Sequence, residues 1–297
     1  MKKILRHKRN TLIFSIIPWL FVFLWSTGFI AAKYTIAFSE PFYLLFLRGI
    51  LSCISFALLA LLFKARWPSV QSALGQMHVG IYLQVLFLGG CFKAIELGMP
   101  ASFVAIITGL QPIMTAIYLS QSEDITFSKT KWIGISLGFI GVVLVLYPFD
   151  SNSDVTFPMY AIVASLVGLI GITTGSLVQK TQSHNSHILT QVFYQYVSLT
   201  LVMGLLSFVF ETQDITWTLS FTLGLLWLVL GVSVTAILLL MFMIRNGEST
   251  KVATYFYLVP VFAAIESWLI FDQSISLFGM TGMLITILGL IMVIKNR

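Results

Sequence analysis

The 297 residues include 58% hydrophobic and only 9% charged side chains, at a mean hydropathy of +0.96. About a quarter of an ordinary soluble domain is charged, so a soluble enzyme, a secreted disulfide scaffold and a disordered chain are excluded. The formal charge of +6 sits at the ends of apolar runs, where Lys and Arg set membrane orientation; no nucleic-acid partner is expected.

The apolar runs are about 20 residues long and do not alternate in short segments, which argues for membrane helices over a β-barrel. In chain order they cover 12–33, 41–63, 76–97, 100–121, 130–148, 158–180, 187–210, 219–244, 250–271 and 276–294. Pro41, Pro68, Pro100, Pro148 and Pro158 stand at or near predicted ends, as proline chemistry requires. The first run follows a basic stretch but is too long for a signal core, so it reads as a retained span. Cys53 and Cys91 both fall inside apolar runs and read as small packing residues.

Fourteen of the 17 Lys and Arg fall in alternate connections on one side, among them Lys2, Lys3, Lys64, Arg66, Lys129, Lys180, Arg245 and Lys251. The opposite connections carry Glu40, Asp150, Asp154, Glu211, Asp214 and Asp272. The asymmetry predicts an even helix number with both termini cytoplasmic.

Sliding the chain by 148 residues aligns 97–144 with 245–292 without a gap and gives 10 identities in 48, including Pro112/Pro260, Gly134/Gly282 and Gly141/Gly289. At a shift of 147, Lys33 meets Lys180 and Arg48 meets Gln195. Two units follow, 12–148 and 157–294. Five helices per unit is odd, so the second copy enters the membrane inverted, an arrangement common in secondary transporters. The fold expected is an all-α polytopic membrane protein of ten helices in two inverted five-helix repeats.

Trp25-Ser26 with Gly28-Phe29 and Lys33 on helix 1, Arg48 on helix 2, mid-helix Pro112 and Pro260, and glycine-spaced helices 5 and 10 make the chain resemble the drug/metabolite transporter superfamily. The resemblance is to its EamA-type members and covers about residues 12–294. The acidic residue often seen after the fourth helix of each repeat is present here as Glu123-Asp124 and Asp272, not in the commonest form. The resemblance implies a bacterial inner-membrane exporter of small metabolites such as amino acids.

Pro112 and Pro260 each remove an i→i−4 bond, which should expose the carbonyls of Thr108 and Phe256. Paired helix breaks point to a midplane substrate site, with Thr108, Gln111, Tyr255 and Tyr257 beside them; packing kinks are the plainer reading. Ionisable residues inside the bilayer are costly unless paired or hydrated. Arg48 lies roughly 10 Å into helix 2 at 1.5 Å per residue, and Glu266 lies at similar depth in helix 9. Lys93 and Glu96, three apart, share a helix face. Functionally, Arg48 or Lys93 attracts a substrate carboxylate while Glu266 or Glu96 carries a coupling proton; structurally, Arg48–Glu266 or Lys93–Glu96 forms an ion pair. Gln195 replaces Arg48 in the second repeat, so the inner half of the pathway is less charged. Trp25, Phe29 and Tyr43 are candidates to line the cavity or to pack.

Helices 5 and 10 are uncharged and glycine-spaced, which marks them for close packing away from the pathway, with a homodimer contact as a further expectation. No metalloprotease signature, P-loop or nucleotide loop appears, and His184 with His187 lacks a third ligand, so no metal or cofactor is expected. The reading is a secondary active transporter of a small molecule across the lipid bilayer by alternating access, with proton-coupled export. A facilitative uniporter or channel, and an intramembrane enzyme, are the alternatives.

Overall fold

The computed structural model describes residues 2–122, 128–146, 158–182, 187–246, 255–271 and 277–295. Glu123, Asp124, Asp150, Asp154, His184, Lys251 and Asp272 lie outside them. Among the described residues the secondary structure is helical, apart from one antiparallel bridge between Ser39 and Ile215. The helical stretches are α1 (Lys2–Ile36), α2 (Pro41–Leu62), α3 (Val70–Glu96), α4 (Ala101–Thr108 and Gln111–Ser122), α5 (Lys129–Leu146), α6 (Met159–Gln182) and α7 (Ile188–Phe210). After them come α8 (Leu219–Leu226 continuing through Trp227–Ala236 to Ile237–Asn246), α9 (Leu258–Phe271) and α10 (Leu277–Lys295). Six are long and apolar enough to cross a membrane: α1 from Ile16, α2, α3, α6, α7 and α8. This is an all-helical membrane protein.

Two expected boundaries move. α3 starts at Val70 rather than 76, because the Ser69 hydroxyl oxygen accepts from the Ser72 N–H at 3.4 Å and caps a polar first turn that apolar periodicity overlooks. α4 is broken rather than kinked: Gly109 and Leu110 form a turn, with Leu110 N–H donating to Ile107 C=O at 3.2 Å. The break lies just before Pro112, which cannot donate to the carbonyl of Thr108.

Both α3 and α8 contain π-helical turns, at Ile81–Leu86 and Trp227–Ala236. Adding 148 to the first range gives 229–234, inside the second. Such turns are rare and recur at functional sites.

The helix pairings repeat. α5 packs on α10 and α2 on α7, while α1 packs on α8 and α9 as α6 packs on α3 and α4. Exchanging each helix for the one five places later preserves all of these contacts. Lipid offers no hydrophobic drive between helices, so small residues govern close approach. A Cβ on Gly141 would stand 2.5 Å from the Thr286 nitrogen, and one on Gly289 2.5 Å from the Gly138 nitrogen. The glycine faces of α5 and α10 are therefore used against each other within the chain. Aliphatic and aromatic side chains cover the outside, Leu62, Phe208, Leu219 and Leu277 being exposed, as expected of a surface solvated by lipid.

Candidate functional site

Arg48, on α2, is 2% exposed and is among the largest fully enclosed side chains. Its Nε donates to the Ser233 Oγ at 2.8 Å, and its guanidinium lies 5.9 Å from the centre of the Phe92 ring. No described carboxylate pairs with it, and the polar group nearest to it besides Ser233 is the Tyr196 hydroxyl. Tyr196 stands beside Arg48 and Ser233, its hydroxyl making no hydrogen bond of standard geometry. Burying a guanidinium without a counter-ion costs several kcal/mol. A protein retains such a charge where something else is to meet it.

The guanidinium opens on a narrow cavity lined by α1, α2, α3 and α8. Its polar lining is Arg48 and Gln84; Trp25, Phe29, Phe87 and Phe92 supply flat apolar walls. Trp25 and Phe87 stack at 5.9 Å with 12° between their planes. Gln84 comes from the π turn of α3 and Ser233 from the π turn of α8, so both distorted helices converge on Arg48. The Gln84 Nε2 is buried and makes no hydrogen bond.

Trp25, Phe29 and Phe87 also wall a second, smaller cavity, which reaches Thr108 and Gly109 at the break in α4, and Phe256 and Val259. The aromatic trio is thus a partition between a charged chamber and a neutral one. The Thr108 hydroxyl donates to its own helix, to Val104 C=O at 2.9 Å. The expected counterpart on the other side differs. The Phe256 carbonyl is not free, because Val259 N–H donates to it at 3.1 Å in a turn ahead of Pro260.

Glu266, on α9, is 6% exposed. Its Oε1 accepts from the Ser26 hydroxyl on α1 at 2.6 Å, while its Oε2 has no hydrogen-bond partner. Glu266 and Arg48 thus turn to different serines and are not paired with each other. Lys93 and Glu96 do pair, at 2.7 Å, both about one-third exposed, with the Lys93 ammonium 5.5 Å from the Phe42 ring centre.

Gln195 shows what stands at the position corresponding to Arg48. Its Nε2 donates to Gln179 Oε1 at 2.6 Å and to Gln76 Oε1 at 3.0 Å. Gln179 Nε2 donates onward to Gln191 Oε1 at 3.4 Å, and Gln76 Nε2 to the Gln182 carbonyl at 3.1 Å. All four central amides, at 76, 179, 191 and 195, are buried. They fill the space between α3, α6 and α7, and the helices there approach backbone to backbone. A Cβ on Gly80 of α3 would meet the Gln195 carbonyl oxygen of α7 at 2.6 Å.

A clasp closes one rim. Glu211, at the end of α7, accepts from the N–H groups of Phe42 and Tyr43 at 2.9 and 2.7 Å, capping α2, whose own Glu40 makes no cap bond. Glu40 reaches across instead and accepts from Gln213 N–H at 2.7 Å. Thr216 N–H donates to Phe38 C=O at 2.9 Å. Partial burial holds the Glu211 carboxyl above its ordinary range despite the two backbone donors and nearby Lys93, with Glu40 adding to the rise.

The residues expected to form one site therefore divide. Arg48, Trp25 and Phe29 meet at the first cavity, and Thr108 joins Trp25 and Phe29 at the second. Gln111 is buried and donates from Nε2 to Ser176 Oγ at 3.2 Å, tying the second half of α4 to α6. Tyr257 is fully buried in a separate cluster with Ala116, Ile135 and Val293, its ring against Gly138; it packs rather than lines. Tyr255 packs at the edge of the main core. Tyr43 stacks on Phe46 at 6.1 Å beside the clasp and lines neither cavity. His187 caps α7, its Nδ1 accepting from Leu189 N–H at 3.3 Å. Gln84, Phe87, Phe92, Ser233 and the glutamines at 76, 179 and 191 are not singled out by the sequence, and Ser26 only as part of the helix 1 motif. Neutral amides inside apolar helices were the available signal.

Residues 13–147 and 159–295 each match the EamA-like transporter family. An uncharacterized transporter of Archaeoglobus fulgidus is 27% identical over 281 residues, 91% of this chain and 93% of that protein. The uncharacterized transporter YvbV of Bacillus subtilis is 24% identical over 92% of this chain and 88% of its own length. The uncharacterized inner membrane transporter YedA of Escherichia coli is 22% identical over 67% of this chain. One solved crystal structure superimposes with a TM-score of 0.76 at 16% identity, covering 93% of this chain and 94% of the other, which establishes a shared fold.

Proposed function

This chain belongs to the EamA-like transporter family, and on that premise we propose that it is a secondary active transporter moving small organic metabolites by alternating access. The observation that carries the reading is Arg48: a buried cation with no counter-ion among the described residues, fixed by Ser233 and facing a cavity walled by aromatic rings.

The two matched stretches and the five-helix exchange of contacts support two repeats, 12–148 and 157–294, inserted in opposite orientations with both termini cytoplasmic. In the cycle, the Arg48 chamber takes the substrate from one side while the glutamine cluster seals the other. Rocking of the paired bundles then exchanges the two conditions. Passage between chambers requires the Trp25–Phe29–Phe87 partition to move. Glu266 carries the coupling proton: one carboxylate oxygen is held by Ser26 and the other is left without a partner. Exchange of a proton for substrate across a bacterial inner membrane gives export.

Flux into proteoliposomes, with and without a pH gradient, tests the reading. Transport that collapses with the gradient supports it; gradient-independent flux favours a uniporter or channel, and product formation without flux an enzyme.

A further inference from the structure

We infer that the ligand of the Arg48 cavity is an organic anion, a carboxylate carried on a flat apolar body, and that an ammonium on the same molecule works against binding. The inference rests on the transport reading above and narrows its substrate class from amino acids to acids without an amine.

Three features support it. First, the charge: among the described residues Arg48 is the one ionisable side chain other than Cys91 that lines this cavity, and Glu266 is turned onto Ser26 rather than into it. A substrate ammonium would find a cation and no anion. Second, the fork: Ser233 fixes the guanidinium through Nε, and among the described residues only the neutral Tyr196 hydroxyl stands near its other donors, the planar set that grips a carboxylate in two parallel hydrogen bonds. Third, the walls: Trp25 stacked on Phe87, with Phe29, forms a slot for a planar apolar group. Aromatic faces also attract cations, but Arg48 already lies over the Phe92 ring. Its full charge repels a second cation more strongly than a ring quadrupole attracts one.

Phenylacetate, phenylalanine and phenethylamine share a ring and differ in charge. They are titrated calorimetrically into the purified protein in nanodiscs, and into Arg48→Gln and Arg48→Lys variants checked for monodisperse elution. Phenylacetate binds about tenfold more tightly than phenylalanine, from the unpaired ammonium near a cation, and phenethylamine gives no measurable heat. Arg48→Gln loses phenylacetate binding, while Arg48→Lys keeps the ranking at lower affinity, because a point charge replaces the fork. Equal or tighter binding of phenylalanine or phenethylamine overturns the inference, as does an unchanged ranking in Arg48→Gln or no binding of any probe. Flux of the same compounds in proteoliposomes separates the two readings. Ranked binding without flux overturns transport and leaves the ligand class standing, whereas preferential flux of phenylalanine does the reverse.

Discussion

Arg48 and Gln195 occupy corresponding places 147 residues apart, yet their surroundings are opposite. Around Arg48 the helices α1 and α8 stand apart: a Cβ on Gly28 would meet only the Val232 side chain, at 3.3 Å. Around Gln195 the helices α3 and α7 touch through backbone, a Cβ on Gly80 meeting the Gln195 carbonyl oxygen at 2.6 Å, and four glutamines fill what space remains. Two versions of one helical frame thus hold an open chamber and a sealed one. The seal is made of neutral hydrogen bonds and the chamber of a charge without a partner. Most of the amide groups satisfy one another at little desolvation cost, the buried Gln195 Oε1 alone in the cluster making no hydrogen bond to a described residue, whereas a guanidinium without a described counter-ion stays costly until an anion arrives.

That contrast can be broken most forcefully at its backbone contacts. Gly80→Ala drives a methyl group into the backbone of α7 at Gln195, and overpacking of this kind costs about 1–3 kcal/mol. Gly28→Ala has only a movable valine to displace and should be close to neutral. Melting of the two variants in the same detergent measures the difference; equal melting points would mean the two regions are equally packed. Next in size is removal of the polar groups themselves. Gln195→Leu strands the acceptors on Gln76 and Gln179, a loss of about 1–3 kcal/mol each. Arg48→Met should instead raise the melting point, by relieving an uncompensated buried charge, while abolishing flux. A destabilised Arg48→Met protein would show that the charge serves the fold.

How far the sequence discloses this contrast depends on the kind of residue. Helix positions, the paired prolines and the 148-residue repeat are written in apolar runs and breaks, and the repeat foretells the five-helix exchange of contacts. Arg48 is legible because a lone cation in an apolar run is conspicuous. Gln76, Gln84 and Gln179 are not, since a neutral amide has little effect on hydropathy and its partners lie on other helices, up to 119 residues away for Gln195 and Gln76. The π turns that bring Gln84 and Ser233 to Arg48 have no compositional signature. Tyr257 was misjudged for a related reason: adjacency to Pro260 in sequence gives its position along the helix but not its face, and that face meets Gly138.

Two finer tests sharpen the comparison. Glu266→Gln keeps the bond from Ser26 but removes the titrating group, so the pH dependence of flux should flatten; an unchanged profile eliminates Glu266 as the proton carrier. The smallest effect belongs to the rim. The folded state holds the Glu211 proton more tightly than a free carboxyl does, so the stability linked to it is whole below the ordinary value of 4.5 and declines as pH rises through the higher folded value. Glu211→Gln should remove that decline from a series of melting curves across pH; a slope equal to the natural protein's would show that another group produces it.

The paired π turns have a bearing on how such chains are compared and altered. Each widened coil holds surplus backbone relative to an α-helix, which advances about 100° per residue. Deleting one amino acid from 81–86 would restore regular winding with the flanking stretches kept on their present faces, because the widened turn already absorbs that residue, and would change what 81–86 presents to the chamber, Gln84 included. Single-position gaps between relatives are therefore to be sought there and within 227–236, and a chain that lacks the bulge should recognise a different cargo.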